Sequence, residues 1–102
     1  MHNIDDRSQN ILSKLRAEKS LAESLEQKIV NQAAREFLLK GAMNSLRDVE
    51  SFILPQAAKA LTPDGAAGWF AVADFQLQSA HKQLKHAQDM VDKFGSNVQV
   101  IG

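Results

Sequence analysis

No cysteine occurs in the 102 residues. This excludes disulfides, thiolate metal sites and cysteine nucleophiles, and it fits a reducing compartment. A surplus of one charge is also missing: twelve Lys and Arg balance twelve Asp and Glu. The chain therefore lacks the electrostatic excess that usually supplies affinity for a phosphate backbone. No run approaches the roughly 18 consecutive apolar residues of a membrane span, and Met1 to Asp6 shows no basic segment leading into an apolar one. These absences point to a cytoplasmic protein that engages neither membrane nor nucleic acid. Chain breakers are scarce as well, with five Gly and two Pro, so long uninterrupted elements are expected.

What remains is helix-forming material. Hydrophobic residues make up 44% and charged residues 24% of the chain, ordinary usage for one folded domain of this length. Ala, Leu, Gln, Glu, Lys and Arg dominate from Asp5 to Phe94, and no alternating strand pattern appears there. Asp5 and Asp6 are candidate caps for a first helix. Ile4, Ile11, Leu15, Ala22, Leu25, Ile29 and Ala33 then share one stripe of a 3.6-residue period. Leu39, Ala42, Leu46, Val49 and Ile53 cluster roughly 120° away from it, so the apolar face changes sides. Either the chain turns near Gly41 or one long helix presents two faces; the expected reading is the turn, with Ser45-Leu46-Arg47-Asp48 as a capping-box variant opening a new helix. Pro55 should kink or restart that helix. Thr62-Pro63-Asp64 supplies an N-cap, a first-position proline and a first-turn acid for a third helix, which Gly95 should end.

The third helix carries the most regular signal. Phe70, Ala73, Leu77, Ala80, Leu84, Ala87, Val91 and Phe94 alternate by three and four, a heptad seam in which large and small side chains interleave. A second stripe of Val72, Phe75, Ser79, His86 and Met90 lies roughly 120° or more around the same helix. A chain with three helices has little left to cover both sides, so self-association or a partner is expected. Trp69, Phe70 and Phe75 bring aromatic groups together near the helix start, as a core end or an interface anchor.

Groups suited to catalysis do not converge. His81 and His86 are five residues apart, about 140° on a helix, and no Glu-x-x-His or His-x-x-x-His pattern occurs. His86 and Asp89 have the spacing of a solvated surface pair. Asp74 follows an apolar run, and Arg47 or Lys40 is its expected counter-charge. Lys14 with Glu18, Lys19 with Glu23, and Glu36 with Lys40 have the i,i+4 spacing of exposed pairs. Glycine loops for phosphate are absent. No catalytic residue, cofactor or metal is expected. The order Gly68-Trp69-Phe70 also lacks the Trp-x-Gly turn of small helical-hairpin export substrates, so no family is assigned.

The resulting expectation is an all-α bundle of three main helices, roughly 5–40, 44–60 and 64–94, open to completion by a dimer partner. Residues 1–95 form the domain and 96–102 a short tail. The expected role is a non-enzymatic protein–protein interaction module: an adaptor, inhibitor or assembly subunit, with a protein partner or a second copy. Its interface residues are Val72, Phe75, His86 and Met90, with Val98, Val100 and Ile101 as a docking tail, the alternative being a tail that folds back on its own bundle or is disordered. The alternative is a small-ligand-binding or sensory bundle using space beside Ala73, Ala80 and Ala87 near Trp69.

Overall fold

The computed structural model describes residues 3–98, with side chains from residue 6 onward except that of Ser96. Val100 and Ile101 of the expected docking tail, and the side chains of Ile4 and Asp5, lie outside the described residues. The elements are α1 (Asn3–Lys28), α2 (Gln32–Asp48), a π-helical turn (Val49–Ile53), α3 (Leu54–Lys59), α4 (Pro63–Phe94) and a closing 3-10 turn (Gly95–Asn97). Backbone angles stay helical from Val49 through Leu54, so α2, the π turn and α3 form one continuous rod. The result is a small all-α bundle of three long rods.

The first reversal lies at Ile29–Asn31 rather than at Gly41. Two local bonds explain it. Asn31 takes an extended conformation, and its side chain accepts from the Ala34 amide at 2.8 Å, filling the N-cap role that short polar side chains favour. The Arg35 guanidinium donates to the Ile29 carbonyl at 3.3 Å, serving an acceptor that the end of α1 leaves free. Ile29 itself is fully buried, anchoring the turn in the core. Its place in the apolar stripe is what makes the sequence read as unbroken there.

Gly41 sits inside α2 for a packing reason. A Cβ at this position would stand 2.7 Å from Nε2 and 2.8 Å from Oε1 of Gln83, so the glycine admits the α4 side chain across it. The helix therefore continues through Ser45-Leu46-Arg47-Asp48, which starts nothing. The N-terminal expectation also shifts, since α1 is already helical at Asn3 and Asp5 and Asp6 fall within its first turn.

Pro55 acts one turn earlier, as its chemistry requires. It has no N–H, and its ring crowds the carbonyl four residues back. The chain accommodates it by widening to a π turn: the Leu54 amide bonds to the Val49 carbonyl, five residues earlier. Thr62 then caps α4 by accepting from the Gly65 amide at 3.0 Å, with Pro63 at the first turn and Asp64 beside it. Gly95 closes α4 at φ 70°, its N–H reaching the Val91 carbonyl; this left-handed value suits glycine.

Rod directions follow from cross-helix pairs. Arg7 meets Asp74 and Glu18 meets His81, so α1 and α4 ascend together. Gly41 meets Gln83 and Phe52 meets Trp69, in reversed order along α4, so the α2–α3 rod runs opposite to them, and Lys19 meets Glu50 across it at 2.9 Å. The molecule measures 48 × 23 × 16 Å. Its core is drawn from the inner stripes of all three rods: Ile11, Leu15, Ala22, Leu25 and Ile29; Leu39, Ala42, Leu46, Val49 and Ile53; and Phe70 through Ala87 of the heptad seam. Ala33 is exposed, and Ala34 is buried in its place because the helix restarts with a new phase at Asn31. The seam also ends early: Val91 is half-buried and Phe94 is 53% exposed.

Candidate interaction surface

The outer face of α4 starts from a helix whose inner face is already used. Ala73, Ala80, Leu84 and Ala87 have no exposed surface, so neighbouring rods close directly onto the seam. The alanine positions are packing sites, where a small side chain lets another helix approach. Groups about 120° or more around the helix point away from that contact.

Most of the second stripe is open to solvent. Phe75 is 69% exposed and Val72 41% exposed; Ser79 and His86 are exposed as well. Met90 is half-buried and packs against the core, so it forms the inner edge of the surface. Val98 departs from the docking expectation and takes the fold-back alternative. It is 2% exposed and belongs to the chain's own core, because the 3-10 turn after Gly95 brings it back against the bundle. In this arrangement Val98 is a closing residue for the core and offers no side chain to a partner.

Several exposed apolar groups escape a reading based on α4 alone. Phe37 is 72% exposed, Val30 70%, Leu61 99% and Phe52 53%. Phe37 is one turn from Gly41 on α2, and the antiparallel run of α2 against α4 sets it toward the α4 C-terminal end. Its signal was present in the sequence: it lies between the Ala34 and Leu38 core positions but off their stripe. Phe52 sits on the π turn, and its ring meets half-buried Trp69 edge-on at 5.7 Å with an interplanar angle of 86°. This T-shaped pair joins the α2–α3 rod to the start of α4, and the outer side of Phe52 remains in solvent.

Polar chemistry is confined to the surface. Among the described residues no polar or charged residue is buried, and no group of three potential metal-ligating side chains forms. Asp74 pairs with Arg7 at 3.3 Å and Lys14 at 3.9 Å, both on α1. The expected partners Arg47 and Lys40 belong to the other rod, which packs on a different side of α4. Arg7 also lies 5.3 Å from the centre of the Phe70 ring, within cation–π range. His81 Nδ1 lies 2.8 Å from Glu18 Oε2, while Lys19 is taken by Glu50. The cross-helix pairs thus use residues whose spacing also permitted i,i+4 pairs. His81 and His86 do not converge: the first is held by Glu18, and the second faces solvent. A groove between α1 and α4, lined by Lys14, Glu18, Asp74, Leu77, His81 and Lys82, mixes both charge signs and presents no nucleophile–base pair.

Compared with protein-family models, curated proteins and solved structures, the chain has no match. Among the described residues no helix is long and apolar enough to cross a membrane.

Proposed function

We propose that this protein is a non-enzymatic protein–protein interaction module that works through the outer face of α4, with Val72, Phe75, His86 and Met90 as its contact residues. The observation that carries the reading is the 69% exposure of Phe75 on a helix whose opposite side is already packed. A large aromatic group left in water forfeits roughly 1.5–3 kcal/mol of burial, which a protein surface placed over it would recover. Phe37 and Phe52 add exposed aromatic side chains on the adjoining rod, and large apolar groups left in solvent are what association surfaces use. The rival reading, a small-ligand bundle, needs space beside Ala73, Ala80 and Ala87, and these three are fully enclosed. The cytoplasm is the proposed setting.

The test compares the wild-type chain with Phe75→Glu and with Phe75→Glu/Met90→Glu in affinity capture and in solution mass, with circular dichroism to verify folding. The expected result is loss of bound protein or of self-association in helical, folded variants. Identical capture and identical mass for folded wild type and variants would overturn the reading. A Trp69 fluorescence response to small molecules with unchanged mass would favour the rival.

A further inference from the structure

We infer that the occupant of the outer α4 face is a second copy of this chain, its α4 packed antiparallel on the first about a twofold axis at Ser79. This rests on the proposed interaction role and gives it a partner and a register.

The starting observation is Gly68. It lies within α4, where glycine is disfavoured relative to alanine, and a Cβ built on it meets nothing within 4 Å among the described residues. The described part of the fold therefore gives no reason for the missing side chain, in contrast to Gly41 beneath Gln83. Close approach of a backbone from outside is the remaining packing use of a helical glycine. Gly68 shares one helix face with Val72, Phe75, Ser79, His86 and Met90, in steps of three, four or seven residues that keep one side of a helix, and Lys82 fills the gap between Ser79 and His86.

Antiparallel pairing about Ser79 makes that face complementary to itself. Gly68 lies across from Met90, Val72 from His86, and Phe75 from Gln83, with Lys82 beside it. Small therefore meets large at the ends, and the small Ser79 side chains meet at the axis. Charge follows the same rule. A twofold axis of this kind brings the same edge of both helices together, so Asp64 of one copy comes beside Lys93 of the other, twice. Lys82 reaches over the partner's exposed Phe75 ring, a favourable cation–aromatic placement. Along this seam no like charges oppose directly, whereas parallel pairing would set Asp64 against Asp64 and Lys93 against Lys93. A formal net charge of zero also removes the general repulsion between identical chains.

The absence of cysteine makes the register directly readable. Ser79→Cys places two thiols across the axis, so mild oxidation should link the full-length protein into a covalent dimer, whereas Lys85→Cys, exposed on another side of α4, should leave it largely unlinked. By sedimentation equilibrium at micromolar concentration, the wild type should have dimer mass. Phe75→Glu should raise the dissociation constant at least about 100-fold, since each of two symmetric contacts loses a buried ring. Asp64→Lys should weaken the dimer, and Asp64→Lys/Lys93→Asp should restore it. A monomeric wild type, or covalent linkage of the Lys85→Cys variant without linkage of the Ser79→Cys variant, overturns the inference. If the monomer still captures another protein in a Phe75-dependent way, self-pairing fails and the interaction role stands.

Discussion

Replacing each of two helical glycines by alanine separates intrinsic helix preference from packing. Gly68 and Gly41 both lie inside long helices, so the propensity gain from Gly to Ala is about 0.5–1 kcal/mol at either site. Their surroundings differ. The new methyl at position 68 would have no neighbour within 4 Å, so the gain should appear in full. For a domain of this size, 1 kcal/mol corresponds to a shift of about 4–8 °C in Tm, and Gly68→Ala should raise Tm by several degrees. At position 41 the methyl would stand 2.7 Å from Nε2 of Gln83, well inside contact distance, and Gln83 must move. That residue is exposed and its amide end is flexible, so the displacement should offset most of the gain without unfolding the protein. Gly41→Ala should consequently be near neutral, and adding Gln83→Ala should release the withheld stabilisation. Urea and thermal unfolding at the lowest workable concentration would measure these differences without a contribution from association. A destabilised Gly68→Ala, or a Gly41→Ala that stabilises as much as Gly68→Ala, would refute the assignment of the two glycines to different roles. Raising the concentration adds a further sign: the methyl that stabilises the monomer at position 68 should weaken the dimer, because it occupies the space opposite Met90.

Other expectations follow from single contacts. Asn31→Ala removes the cap on the Ala34 amide and should lower stability by about 1 kcal/mol in urea unfolding; no loss would mean that the first reversal is held by Ile29 burial and the Arg35 bond to its carbonyl. Leu84→Ala empties a fully buried site at the centre of the seam and should cost about 2–5 kcal/mol, a large part of the roughly 5–15 kcal/mol typical of whole domains, visible as a lower urea midpoint. Asp74→Asn interrupts bonds to Arg7 and Lys14 whose side chains are 41% and 54% exposed; after allowance for solvent screening the loss should stay within about 1 kcal/mol and shrink further in salt.

The inner stripes were legible because burial needs a fixed helical period. Leu39 through Ile53 and Phe70 through Ala87 stand in the core where their spacing placed them, and the Thr62 and Gly95 signals bound α4 as read. The first reversal was not legible in the same way. Ile29 keeps the period across the break, and the Asn31 cap carries no acidic residue three positions later to announce it, whereas Gly41 carries an apparent stop signal yet lies inside α2, where the side chain of Gln83 on another helix packs over it. Val98 shows the same limitation at the other end: a lone valine in a tail has no periodicity, and only its return to the bundle makes it core.

Local chemistry along the chain was thus enough to determine that it is helical, which side of each helix is apolar, and where α4 begins and ends, since caps and periodic burial are read within a few residues. The tertiary arrangement decided which rod lies against which, where the first turn falls, and that Asp74 goes to Arg7 instead of Arg47. Those outcomes depend on distances between residues far apart in sequence, and helical spacing constrains such distances only within one helix.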